Sequence, residues 1–125
     1  MLEVYSLNVT VAANASVPLN NVTLKKGCTA TTSGASSIAL NKCGVYMVSV
    51  DASSAAAATI QLYKNGIVQP QAQSTGTTPN FVTLVQVDEN NSCCPCASAT
   101  TIQVVNTADA AATFTDFNIV ITKVV

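Results

Sequence analysis

Apolar and polar residues alternate with a period of two through much of this chain, and almost nowhere follow the 3.6-residue period of a helix. In the run Gly44-Val45-Tyr46-Met47-Val48-Ser49-Val50-Asp51, Tyr46, Val48 and Val50 share one face while Ser49 and Asp51 share the other. A little further on, Ile60 and Leu62 oppose Thr59 and Gln61. The only helix-friendly run, the alanines at 55–58, is much shorter than a stable isolated helix and is flanked by β-type sequence. The chain is therefore restricted to sheets that each present one apolar face.

Eight runs carry the strand pattern: 4–11, 22–25, 37–40, 44–52, 59–64, 81–87, 100–106 and 113–124. Asn65-Gly66 is a strong two-residue hairpin signal, because both residues tolerate positive φ, and it predicts a further strand partner beginning at Ile67. The last run changes phase: Phe114 falls on even positions, whereas Phe117, Ile119 and Ile121 fall on odd ones. A bulge near Thr115-Asp116 would bring both phenylalanines inward. Residues 12–21, with Pro18 and several asparagines, read as an irregular connection. Gly34, Gly76 with Pro79, and Asp88-Glu89-Asn90-Asn91 mark longer loops. No domain boundary or internal repeat interrupts the pattern, so residues 1–125 read as a single domain, with 1–20 as an N-terminal arm or attachment segment.

Composition narrows the classes of function. Hydrophobic residues make up 49% and charged residues only 9%, so Thr, Ser, Asn and Gln must cover much of the surface that faces water. Such a surface suits a protein packed against copies of itself or against a larger body. With five lysines, no arginine, a net charge of −1 and no basic cluster beyond Lys25-Lys26, nucleic acid is not an expected partner. No segment is apolar over a membrane-spanning length. The first residues lack the basic and apolar regions of a secretory signal, which leads to an expectation of synthesis in a cytoplasm. Four matches to the Asn-x-Ser/Thr pattern, at Asn8, Asn14, Asn21 and Asn90, read as surface residues in a chain this rich in Asn, Ser and Thr.

The chain contains no histidine, so the commonest general base and the usual partner of a Ser or Cys nucleophile are missing. No catalytic residue, cofactor or enzymatic activity is expected. The acidic stretch Asp88-Glu89-Asn90-Asn91 offers oxygen ligands but lacks the spacing of a calcium loop, and reads as a solvated loop. Five cysteines remain. Cys93, Cys94 and Cys96 crowd around Pro95, while Cys28 and Cys43 bracket the run at 37–40. All five are candidates for structural disulfides or reduced packing thiols. Cys93, Cys94 and Cys96 are also thiolate candidates for a metal site, although they form no Cys-x-x-Cys pair and no histidine completes a ligand set. A bond between subunits is a third use for a cysteine. Tyr46, Tyr63, Phe114 and Phe117 are assigned to packing rather than to ligand stacking, and the absence of tryptophan argues against a carbohydrate-stacking platform.

Three segments carry a resemblance. Gly44-Val45-Tyr46, Leu62-Tyr63-Lys64-Asn65-Gly66 and Thr113-Phe114-Thr115-Asp116-Phe117 resemble the glycine-x-tyrosine strand start, the hairpin and the terminal aromatic strand of the tumour-necrosis-factor/complement-type jelly roll. The resemblance spans roughly residues 35–125. Asp116 stands where that family often has glycine, and the core is built from Val, Ala and Thr where animal members use many aromatics. In this the chain looks more like compact bacterial and bacteriophage versions. The resemblance implies an all-β, two-sheet antiparallel sandwich of about eight to ten strands, working as a homotrimer. With no collagen-like repeat ahead of the domain, it further implies direct attachment, as in phage capsid decoration proteins or head fibres located at the virion surface. The competing expectation is a trimeric binding module, either a phage receptor binder or a bacterial spore-surface domain, with a glycan or cell surface as partner.

Overall fold

The computed structural model describes residues 1–87 and 100–125 of the chain. Ten strands occupy them: β1 (Leu2–Val11), β2 (Asn21–Lys25), β3 (Ala30–Ser33), β4 (Ser37–Leu40), β5 (Gly44–Ser54), β6 (Ala58–Lys64), β7 (Ile67–Gly76), β8 (Asn80–Val87), β9 (Thr100–Asn106) and β10 (Ala112–Lys123). They form two antiparallel five-stranded sheets. Sheet A has the order β2-β1-β10-β5-β8, and sheet B the order β3-β4-β9-β6-β7. The sheets pack face to face as a jelly-roll sandwich, and every strand except β2 buries at least one residue in the core.

The alternation read from sequence sets the inner faces. Tyr46, Val48 and Val50 from β5, Ile60 and Leu62 from β6, and Ile102 and Val104 from β9 are all buried. In β10 the pairing to β5 shifts register between Phe114 and Asp116, so the bulge falls at Thr115. Phe114 and Phe117 are therefore both fully buried, in edge-to-face contact with ring centroids 6.2 Å apart. At Asn65-Gly66 the φ angles are 51° and 78°, and Lys64 pairs with Ile67 across the turn, which is the tight hairpin expected from these two residues.

Two strands lie outside the eight runs: β7, which begins at Ile67 as the Asn65-Gly66 turn predicts, and β3, which no sequence signal marked. β3 is Ala-Thr-Thr-Ser, with only Ala30 buried, and β7 carries Pro70 and buries only Ala72. Both are sheet edges, where the core demands little alternation and proline is tolerated.

Residues 1–20, assigned from sequence to an arm or attachment segment, are placed within the sandwich. β1 lies between β2 and β10. The connection after it runs along β9 beyond the end of β4: Asn14 N–H donates to the Asn106 carbonyl (2.7 Å), and Val17 N–H to that of Val104 (2.8 Å), with Val17 buried. Asn106 secures this junction. Fully buried, it donates through Nδ2 to the carbonyl oxygens of Val11 and Ala110 and accepts the Ala108 N–H at Oδ1, so three chain segments meet on one side chain.

Candidate functional site

Edge strand β8 reads Asn-Phe-Val-Thr-Leu-Val-Gln-Val and is apolar on both faces. Phe81, Val85 and Val87 point into the core, whereas Val82 and Leu84 point out and are 65% and 60% exposed. A strand with one face in water normally alternates apolar with polar; two apolar faces fit a strand covered on both sides. Across the sheet Leu84 lies opposite Met47 and Val82 opposite Ser49, and these in turn lie opposite Thr122 and Val120 of β10. The outer face of sheet A therefore presents a low-charge strip over β10, β5 and β8.

The strip extends around the edge of the sandwich. Lys64 Nζ donates to the Gln86 carbonyl at 2.5 Å and so joins the end of the β6–β7 hairpin to the end of β8. Just past the turn, Ile67 and Val68 are exposed as well. Polar groups border the strip: Glu3 accepts from Thr23 Oγ1 (3.0 Å) and Asn118 Nδ2 (3.3 Å), and Asp51 is exposed opposite Asn80.

The outer face of sheet B differs. Thr59 and Tyr63 of β6 and Thr101 and Gln103 of β9 are half-buried on this face, Gln61 between the first two is buried and donates through Nε2 to the Gln69 carbonyl (3.1 Å), and no charged side chain lies among them. Thr59 and Thr75 hydroxyls share a hydrogen bond (2.9 Å), and Gln103 Nε2 donates to Ser37 Oγ (2.8 Å).

Cys28 lies in the β2–β3 connection, exposed, and Cys43 lies half-buried just before β5; no disulfide joins these two. Between them stands Tyr46, whose ring is buried and whose hydroxyl accepts the Lys42 N–H (3.2 Å) and faces the carbonyl oxygens of Lys42 (2.8 Å) and Thr29 (3.2 Å). The backbones next to both cysteines are thus held by one phenol, which gives a structural reason for the glycine-x-tyrosine start of β5. Cys93, Cys94 and Cys96, and the acidic stretch Asp88-Glu89-Asn90-Asn91, lie outside the described residues. The described residues that flank them are Val87, opposite Gly44, and Thr100, opposite Leu40. Among the described residues no three His, Cys, Asp or Glu side chains gather to hold a metal, and no helix is long and apolar enough to cross a membrane. Tyr46, Phe114 and Phe117 belong to the core, and Tyr63 is half-exposed on the outer face of sheet B.

No protein-family model and no curated protein sequence matches the chain. Solved structures do match its fold. The globular domain of zebrafish complement 1qA protein superposes with a TM-score of 0.68 at 10% identity, covering 95% of this chain and 94% of that one. Murine APRIL at pH 5.0 gives 0.67 at 8% identity over 98% of each chain, and rabbit GITRL gives 0.57 at 14% identity over 94% and 95%. The fold is that of the tumour-necrosis-factor/complement-type jelly roll. These matches come from animals, and nothing in them supports a bacteriophage version.

Proposed function

We propose that the chain is a non-catalytic assembly module, a homotrimeric jelly roll that attaches to a larger body. The observation that carries this reading is the outward pair Val82 and Leu84 on edge strand β8, continuous with Met47 and with Ile67 at the hairpin end. A lone sandwich would expose this strip to water at about 25 cal/mol for each Å² of apolar surface, and a second and third copy remove that cost. The likeness in fold to complement and tumour-necrosis-factor-type domains supports the same arrangement. Replacing both residues, as Val82→Lys with Leu84→Lys, is expected to yield a folded monomer; a variant that keeps the wild-type mass would show that the strip is not the interface.

Within this reading the attached body is a bacteriophage capsid, with the protein at the virion surface as a decoration protein or head fibre. The support is compositional, namely 9% charged residues and a Ser, Thr and Asn-rich surface, together with the resemblance of the strand motifs to compact phage versions. Purified protein that shows no affinity for any capsid would remove this assignment while leaving the trimer intact.

A second reading, a trimeric binding module for a neutral glycan, is favoured by the uncharged hydroxyl and amide face of sheet B with Tyr63 upon it. A neutral-glycan array tests it directly, and absence of binding by the trimer would dismiss it.

A further inference from the structure

The five lysines are scattered through the sequence, yet the fold brings all of them to one end of the sandwich. Lys25 closes β2 opposite Leu2, the first residue of β1, and Lys26 follows it. Leu2 is in turn opposite Ile121 near the end of β10, where Lys123 pairs with Tyr46 near the start of β5. Lys42 precedes β5 and contacts the Tyr46 hydroxyl through its backbone. Lys64 closes β6 and reaches Gln86 of β8, itself opposite Val45. Among the described residues no lysine is paired with a carboxylate side chain, and Lys25, Lys26 and Lys42 are exposed.

Of the four acids among the described residues, three lie toward the opposite end. Asp51, Asp109 and Asp116 are exposed in the other half: Asp109 in the β9–β10 connection, Asp116 opposite Leu7, and Asp51 opposite Asn80 at the start of β8. At the lysine end stands Glu3, already engaged by Thr23 and Asn118. Asp88 and Glu89 lie outside the described residues. An eleven-residue strand such as β5 spans about 35 Å, several times the Debye length of about 8 Å at physiological ionic strength, so the two ends act on a partner separately despite a net charge of −1.

We propose that the lysine end is a docking surface for a carboxylate-rich protein surface, with the aspartate end facing away from it. The choice of carboxylate follows from the residue type. Lysine is a hydrated point charge on a flexible stem, suited to a diffuse acidic surface, whereas close recognition of phosphate draws on the planar fork of arginine, which this chain lacks. The inference rests on the reading of the protein as a module that attaches to a larger body, and it names the end that attaches.

The test uses the intact protein with poly-L-glutamate as probe, and double-stranded DNA and anionic phospholipid vesicles as comparison probes. Binding to polyglutamate is expected at about 50 mM salt and is expected to weaken at least tenfold by about 200 mM. The variant Lys25→Gln/Lys26→Gln/Lys42→Gln should bind at least tenfold more weakly, while Asp109→Asn/Asp116→Asn should bind as tightly as wild type or more so. Lys64 and Lys123 are left in place because their amines bond to the Gln86 and Val125 oxygens. No binding at low salt, or an unchanged triple variant, would overturn the proposal. Tighter binding to DNA or to vesicles would overturn the carboxylate assignment. Light scattering on the same samples separates this result from the trimer reading, because a failed docking surface leaves the mass unchanged.

Discussion

Asn106 and Gly44 show how single residues constrain this fold. Asn106 is fully buried and satisfies backbone groups from the end of β1 and from the β9–β10 connection. Asn106→Leu keeps the volume but leaves two carbonyl oxygens and an N–H without partners, and is expected to cost about 3 kcal/mol or more at about 1–3 kcal/mol per orphaned group. Urea unfolding at unchanged slope measures the loss. Gly44 has φ 136°, and a Cβ there would collide with the Val125 carbonyl oxygen and come within 2.8 Å of the Lys123 Cε. Val124 and Val125 both donate to the Val45 carbonyl at this point, so the end of the chain is bound directly against the start of β5. Gly44→Ala is expected to destabilise by about 1–3 kcal/mol, with the largest loss of amide-exchange protection at Val124 and Val125. A glycine beginning a strand was visible in the sequence; its reason, the return of the C-terminal residues, lies about 80 positions away and was not.

At the scale of elements, β10 gives the sharpest case. Its phase change predicts a bulge at Thr115-Asp116, and the register to β5 slips there. Deleting Thr115 would remove the extra residue and leave Phe114 and Phe117 two positions apart, so that both still face the core in a regular ladder with β5. The expected loss is therefore below that of removing a buried phenylalanine, about 3–5 kcal/mol, and Thr115→Ala should cost under about 1 kcal/mol; a deletion variant that loses as much as Phe114→Ala in thermal unfolding would contradict this reading of the bulge. Strands that bury one face were legible because core burial imposes a period of two. β3 was not, because an edge strand with one buried alanine leaves no such trace, and β7 was announced only by the Asn65-Gly66 turn before it, which placed its start at Ile67. In β8 the sequence did hold a further signal. Phe-Val-Thr-Leu-Val carries apolar residues on both faces rather than on one, and its outward half, Val82 and Leu84, forms the strip assigned to subunit contact.

For the whole molecule, the lysine end illustrates what local sequence reading misses. Along the chain only Lys25 and Lys26 are neighbours, so no basic patch is evident. Antiparallel strands return to the same end at every second connection, and residues dozens of positions apart become neighbours by topology alone. Cys28 and Cys43 come to that end by the same route. If the cysteines serve local structure, reduction should leave the assembly intact. The central claim is that this sandwich is one third of a closed ring of copies, since nothing among the described residues covers the apolar strip on β8. The most direct test is solution mass by light scattering, with and without reductant, across a tenfold range of concentration. The account predicts a mass three times that of the 12.8 kDa chain in both conditions. A trimer lost on reduction would move a cysteine into the interface; a monomer at every concentration would contradict the account.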